Sequence, residues 1–357
     1  MRPLIVDRPV STAPGGVLDL TRLRSLVHLD RMTDDRGLFE HADGSAPRLE
    51  HGYCTDDNAR LMIVATDADT DTDAHASEVA NRLARVSLAF VLAAQDVRGN
   101  TRNRMNIAGE WTDEPTTDDC WGRSLWGLGV MTARHADPAL RRRARRGFNH
   151  GARPRSAALR SMAFAALGAV EVLSAHADHQ PARRLAADYL DRVEPPISSA
   201  WRWPEPTLRY ANATLADATI GAGAALGRTD DVERGLDMLA WLLERETVNG
   251  HLSVAGVGDH LPTSLPPLFD QQPIEVAALA DACARAAIVT SDDSWWRGVR
   301  LAESWLFGVN DAGLVMVDPV SGGGYDGLCA TSVNTNQGAE STMAATTIIH
   351  RARTCPQ

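Results

Sequence analysis

An all-α fold, an (α/α)6 barrel of six helical hairpins with short β-hairpins at one mouth, is what this sequence predicts, and three observations carry the prediction. Twelve segments have apolar residues at helical spacing between turn-forming ends. Alternate segments differ in kind: even-numbered ones are rich in Ala and Gly and poor in charge, odd-numbered ones carry Arg and acids on one face. The longer links between them repeat a pattern that opens on Gly and ends at a polar helix start.

In order, the segments cover 18–33, 55–69, 75–95, 117–135, 139–152, 156–175, 179–193, 210–227, 230–247, 270–289, 293–309 and 336–353. The even set includes Thr214 to Leu226 and Val276 to Ala287, small or apolar almost all round, which places it in an inner, buried ring. The odd set includes Asp231 to Glu246 and Ser294 to Phe307, whose charged faces belong on an outer ring. The links at 37–52, 99–117, 250–269 and 313–333 predict short hairpins over one mouth. The tract Asp67 to Asp73 lacks the Gly and terminal Glu of an EF-hand and reads as a polar turn between helices. No linker separates domains, so residues 1–357 read as one domain with 1–17 as an N-terminal extension.

Composition narrows the function. With 44% hydrophobic and 23% charged residues the chain reads as an ordinary globular protein. No apolar run reaches the roughly 20 residues of a membrane span, and no secretory signal precedes the first helix, so a cytoplasmic location is expected. A net charge of -10 argues against a nucleic-acid partner, and the basic run Arg141 to Arg146 reads as a solvated helix face. All 36 basic residues are Arg, which excludes Schiff-base chemistry and a Walker lysine. The five cysteines never fall in CxxC spacing, so neither a disulfide framework nor a zinc knuckle is expected; no metal and no cofactor is implied. Oligomeric state is not encoded in any motif.

The N-terminal ends of the inner helices hold the unusual polar residues, and alternate helices of successive hairpins bring those ends to one mouth. Asp56, Asp57, Asn58 and Arg60 open the second segment; Asp118, Asp119, Trp121 and Arg123 open the fourth; Tyr210 and Asn212 open the eighth. Asp270, Gln271, Gln272 and Glu275 open the tenth, and Asn334, Asn336, Gln337 and Glu340 the twelfth. Helix capping accounts for one acid per helix. It does not account for two Asp-Asp pairs or for clustered amides, whereas carboxylates, amides and aromatics suit sugar hydroxyls and ring faces. Trp121, Trp203 and Tyr325 are expected as sugar platforms, and Glu205 and Asp326 as further polar contacts.

Glycoside cleavage needs a carboxylic acid to protonate the leaving oxygen and a carboxylate as base or nucleophile. Asp57, Asp119 and Glu340 are the catalytic candidates, within a pool that also holds Glu205, Asp270 and Glu275. Glu275, deeper in its helix, also reads as a buried acid paired with an Arg. Arg60 and Arg123, each following an Asp pair, could hold those carboxylates ionised or bind substrate.

At these residues the chain resembles the six-hairpin glycosidases, specifically a bacterial group associated with glycosyltransferases and mannoside-processing genes. The resemblance spans about Leu18 to Ala352 and is strongest at Cys54 to Arg60, Asp119 to Trp126, Phe269 to Glu275 and Asn336 to Thr342. It implies an (α/α)6 barrel and hydrolysis, with inversion, of an oligosaccharide or glycoconjugate that contains mannose. Ala211 stands where that group favours Asp before the Asn. Two other classes fit the same mouth: a non-catalytic oligosaccharide-binding barrel, and a sugar epimerase or isomerase, which relies on inward His pairs. His28, His41, His51 and His75 show no such spacing, although His51 lies near a mouth motif. A terpenoid-cyclase toroid is disfavoured by the Gln- and Asn-rich mouth.

Overall fold

The computed structural model describes residues 15–68 and 74–356. Twelve α-helices lie among them: α1 (Gly15–Arg31), α2 (Thr55–Ala68), α3 (Ala74–Ala94), α4 (Asp119–Arg134), α5 (Pro138–Gly151), α6 (Leu159–Ala175), α7 (Gln180–Leu190), α8 (Ala213–Leu226), α9 (Thr229–Arg245), α10 (Pro273–Thr290), α11 (Trp296–Leu306) and α12 (Ala339–Thr354). Each lies within three residues of its expected ends.

The two helix types separate as their composition requires. α6 and α8 are buried on nearly every face from Arg160 to Val170 and from Ala213 to Gly223, and they join α2, α4, α10 and α12 in an inner ring. α5, α7 and α9 each bury one stripe, such as Leu140, Ala144, Gly147, Phe148 and Gly151 of α5, and form the outer wall with α1, α3 and α11, the last buried at all but Arg297 and Arg300. The inner ring closes where α12 packs against α2, with α1 bracing that seam from outside. Small residues set the closest crossing, between α4 and α6: a Cβ on Gly129 would collide with the Gly168 carbonyl, and one on Gly168 with that of Leu125.

Short links lie on one side of the ring and long ones on the other. The long links carry short antiparallel pairs: β1 (Ala42–Asp43) with β2 (Ala46–Pro47), β3 (Tyr53–Cys54) with β4 (Arg104–Met105), β5 (Thr247–Val248) with β6 (His251–Leu252), and β7 (Gly327–Leu328) with β8 (Val333–Asn334). The expected hairpins are therefore present with two differences. The strand in the 99–117 link pairs with the preceding link as well as bridging within its own link, Met105 to Trp111 and Thr101 to Thr116. The β5–β6 hairpin turns at Asn249 and Gly250, both at positive φ (51 and 86), so Gly250 is its tip and not its start. Residues 69–73 of the acidic tract lie outside the described residues. Among the described residues no helix is long and apolar enough to cross a membrane.

Below the mouth the inner helices are tied together by mostly half-buried ion pairs that sequence reading did not find. Arg134 of α4 pairs with Asp67 of α2 at 2.9 Å and with Glu171 of α6 at 3.4 Å. Arg285 of α10 reaches Glu171 and Asp217 of α8, and Arg351 of α12 pairs with Asp281 at 2.6 Å. Every inner helix contributes, so the ring is cross-tied at its lower end, and a cavity lined by Arg60, Arg123 and Glu340 above and by Asp67, Asp217, Asp281 and Arg351 below runs between these pairs and the mouth.

Candidate active site

The inner-helix starts converge on an open cleft, floored by the first turns of α2 and α12 and walled by the long links. Nine of the residues expected from sequence line it: Asp56, Asp57, Arg60, Arg123, Asp270, Gln272, Asp326, Asn334 and Glu340. Glu40, His41, Cys54 and Arg104 line it too. These four sit in the links rather than at helix starts, and only Cys54, beside an acidic motif, carried a sequence signal.

Arg60 organises the floor. Its Nη1 donates to Asp57 Oδ1 and its Nη2 pairs with Glu340 Oε2, each at 2.6 Å. Arg123, its guanidinium 4.5 Å from the Phe164 ring centre, stands 3.8 Å from the same Glu340 oxygen. Asp57 is buried, and its second oxygen accepts from the Cys54 thiol at 3.1 Å. Burial pushes the Asp57 carboxyl up to about 7 against the pull of Arg60, with the Glu340 charge adding to the rise. Asp56 is also raised by burial; its Oδ2 accepts from Asn103, whose carbonyl oxygen in turn accepts the Thr55 and Asp56 amides. Asp326, raised by burial as well, is held by the Gly338 amide and the Ser341 hydroxyl. Glu40 pairs with Arg104. Six carboxyl groups thus face three guanidiniums across one cleft, an excess that favours keeping a proton on the most buried of them.

A second cleft adjoins the first through Val257 and Gln272 and is lined by Tyr210 and Glu275. Glu275 is buried, but its partners are the Ala211 and Asn212 amides and the Asn212 side chain, not the expected Arg. Burial lifts it to about 7. Behind it Glu246, outside the expected pool, is lifted to about 8 by burial and by the Glu275 charge. Asp119 lines neither cleft; it accepts from Ser161 at 2.6 Å and from the Tyr210 hydroxyl. Glu205 and Asn212 are tied to the Arg160 guanidinium, which lies over the Tyr210 ring.

No protein-family model matches the chain, and no curated protein matches it in sequence. Solved structures do match its shape. A cellobiose 2-epimerase from Bacillus thermoamylovorans superposes with a TM-score of 0.70 at 10% identity, over 95% of this chain and 100% of its own. A D-mannose isomerase gives 0.67 at 9% identity, over 99% and 100%. An α-1,6-mannanase from a Salegentibacter species, an inactive variant in complex with α-1,6-mannotetrose, gives 0.64 at 11% identity, over 96% and 99%. The chain is an (α/α)6 barrel.

Several expected site residues serve the barrel itself and lie outside both clefts. Trp121 is fully buried, its indole N–H donating to the Gly151 carbonyl at 2.8 Å, and Trp203 is fully buried against Trp241. Neither presents a face to a sugar. Asn58 holds the Leu38 amide and the Cys54 carbonyl, fastening the first long link to α2. Gln271 bridges Asp311 and Trp305, and Gln337 bridges Ser321 and Asp318. Asn336 accepts from the Gly44 amide, Tyr325 packs on the core, and Asp118 is exposed at the N-cap of α4. The amides that looked like sugar ligands are mostly loop fasteners, because long links over a mouth need side chains to satisfy backbone that has no ladder partner.

Proposed function

We propose that the barrel hydrolyses a glycosidic bond in a mannose-containing oligosaccharide or glycoconjugate, with inversion, Asp57 acting as acid and Glu340 as base. The observation that carries this reading is the buried Asp57 carboxyl, raised to about 7, beside Glu340 on the shared Arg60. Asp57 gives its proton to the glycosidic oxygen as the bond to the anomeric carbon breaks. Glu340 takes a proton from the water whose oxygen bonds that carbon, and solvent returns the proton to Asp57. Carboxylates supplied by different inner helices across a barrel mouth suit the wider gap of an inverting pair, about 6.5–9.5 Å.

The mannanase neighbour adds support: its inactive variant lacks two consecutive aspartates. This chain has two such pairs at inner-helix starts, Asp56–Asp57 and Asp118–Asp119. The epimerase and isomerase neighbours point to a second reading, in which a sugar carbon is deprotonated by an imidazole. Among the described residues His41 alone supplies an imidazole to the main cleft, which disfavours it. The deciding experiment incubates the protein with α-linked manno-oligosaccharides and other glycans while following reducing ends, epimerised sugar and thermal stabilisation. New reducing ends support hydrolysis, epimerised product replaces it with the second reading, and stabilisation with no turnover leaves a binding protein.

A further inference from the structure

We propose that the outer wall of the barrel, along α5 and the adjoining start of α7, docks on an anionic phospholipid surface. α5 carries Arg141, Arg142, Arg143, Arg145 and Arg146 and no acid within its bounds. Its apolar stripe faces the barrel, leaving Arg142, Arg143 and Arg146 exposed, and Arg184 of α7 is exposed beside them. α5 touches the residue that caps α7: the Phe148 ring lies 6.0 Å from His179, and Arg145 and Arg184 both act on that imidazole.

Several exposed arginines elsewhere have acids, although Arg98, Arg202 and Arg297 have no ion pair among the described residues, so it is the density of the α5 run that sets it apart. Arg48 pairs with Glu50, Arg82 with Asp30, Arg155 with Asp188, Arg228 with Asp191 and Arg353 with Asp19. Among the described residues none pairs with Arg142, Arg143, Arg145, Arg146 or Arg184, and the adjoining Asp137 is taken by Arg85 and by its own helix. Arg142 and Arg146 stand four apart on one helix face, and Arg143 and Arg146 three apart, spacings at which like charges destabilise a helix. The run therefore costs stability without an internal return, in a chain of net charge -10.

The patch lies along the middle of α5 on the outer wall, outside the cleft. The short links 135–137 and 176–179 adjoin it, and these are on the side opposite the long links that wall the mouth. None of its exposed arginines lines a cleft, and no exposed large apolar side chain lies between residues 108 and 196, so what it offers a partner is charge. An anionic bilayer suits that charge, and basic clusters of this size are held by such surfaces. The patch has no exposed aromatic with which to stack bases, which disfavours nucleic acid.

The test is cosedimentation of the whole protein with vesicles of mixed phosphatidylglycerol and phosphatidylcholine, and with pure phosphatidylcholine, at low and high salt. Binding is expected only to the mixed vesicles, with release by salt. The triple variant Arg142→Glu, Arg143→Glu, Arg146→Glu should bind at least about 100-fold more weakly, and Arg297→Gln on α11, across the ring, should bind normally. A second triple variant with Gln at the same three positions should lose binding while its melting temperature holds or rises. Equal binding to both vesicle types, undiminished binding by the triple variants, or a duplex DNA bound more tightly than vesicles through the same arginines would each overturn the proposal.

Discussion

Arg60 and Glu340 form a 2.6 Å ion pair that joins the first inner helix to the last. The contact lies at the seam where α12 meets α2, so the pair that completes the ring also sits on the floor of the cleft. Ring closure and site assembly are one event here, and that shapes how variants should behave.

Asp57→Asn and Glu340→Gln should each cut turnover at least about 100-fold on the substrate identified by the glycan panel, with substrate-induced thermal stabilisation retained. If both kept near-full activity, the acid and base would have to be sought at Asp119, Asp270 and Glu275. The configuration of the first product, read by proton NMR within the mutarotation time, should be inverted; a retained anomer would replace the water-activating role of Glu340 with a nucleophilic one.

Activity should fall as pH rises through about 7, because Asp57 must carry the proton it donates. Stability should fall over a neighbouring window. Glu246 and Glu275 have folded values of about 8 and 7, above the ordinary 4.5, so the native state holds protons that the unfolded chain releases. Unfolding is then favoured progressively from about pH 4.5 to 8. Melting temperatures measured at pH 5.5 and 8 should show the drop, and Glu246→Gln should flatten it. A pH-independent melting temperature in the parent would contradict the buried-acid assignment.

Gly168→Ala should lower stability by about 1–3 kcal/mol or prevent folding, since the new methyl meets the Leu125 carbonyl and backbone cannot move aside as a side chain can. Denaturant titration reads this directly, and an unchanged midpoint would mean that α4 and α6 are further apart than described.

Trp121→Phe should cost stability, through loss of the hydrogen bond to Gly151, and leave KM and kcat nearly unchanged. A large rise in KM with normal stability would instead make Trp121 a sugar platform.

Sequence periodicity by itself determined the barrel. Twelve segments of alternating kind can bury their apolar surfaces only as an inner ring of small-residue helices inside an outer amphipathic one, and that argument needs no coordinates. It also determined that Asp56, Asp57, Arg60 and Glu340 share a mouth, because helix direction alternates in a chain of hairpins. What only the tertiary structure decided is which polar residues face solvent there. Asn58 and Gln272 look alike in sequence, yet one fastens Leu38 and the other lines both clefts. Glu40 and Arg104 reach the cleft from links whose paths are set by β3 pairing with β4, a contact between residues about fifty apart that no local pattern reports. The protonation of Asp57 is likewise a property of its surroundings: burial, one guanidinium and a neighbouring carboxylate fix it, and each of those depends on helices distant in sequence.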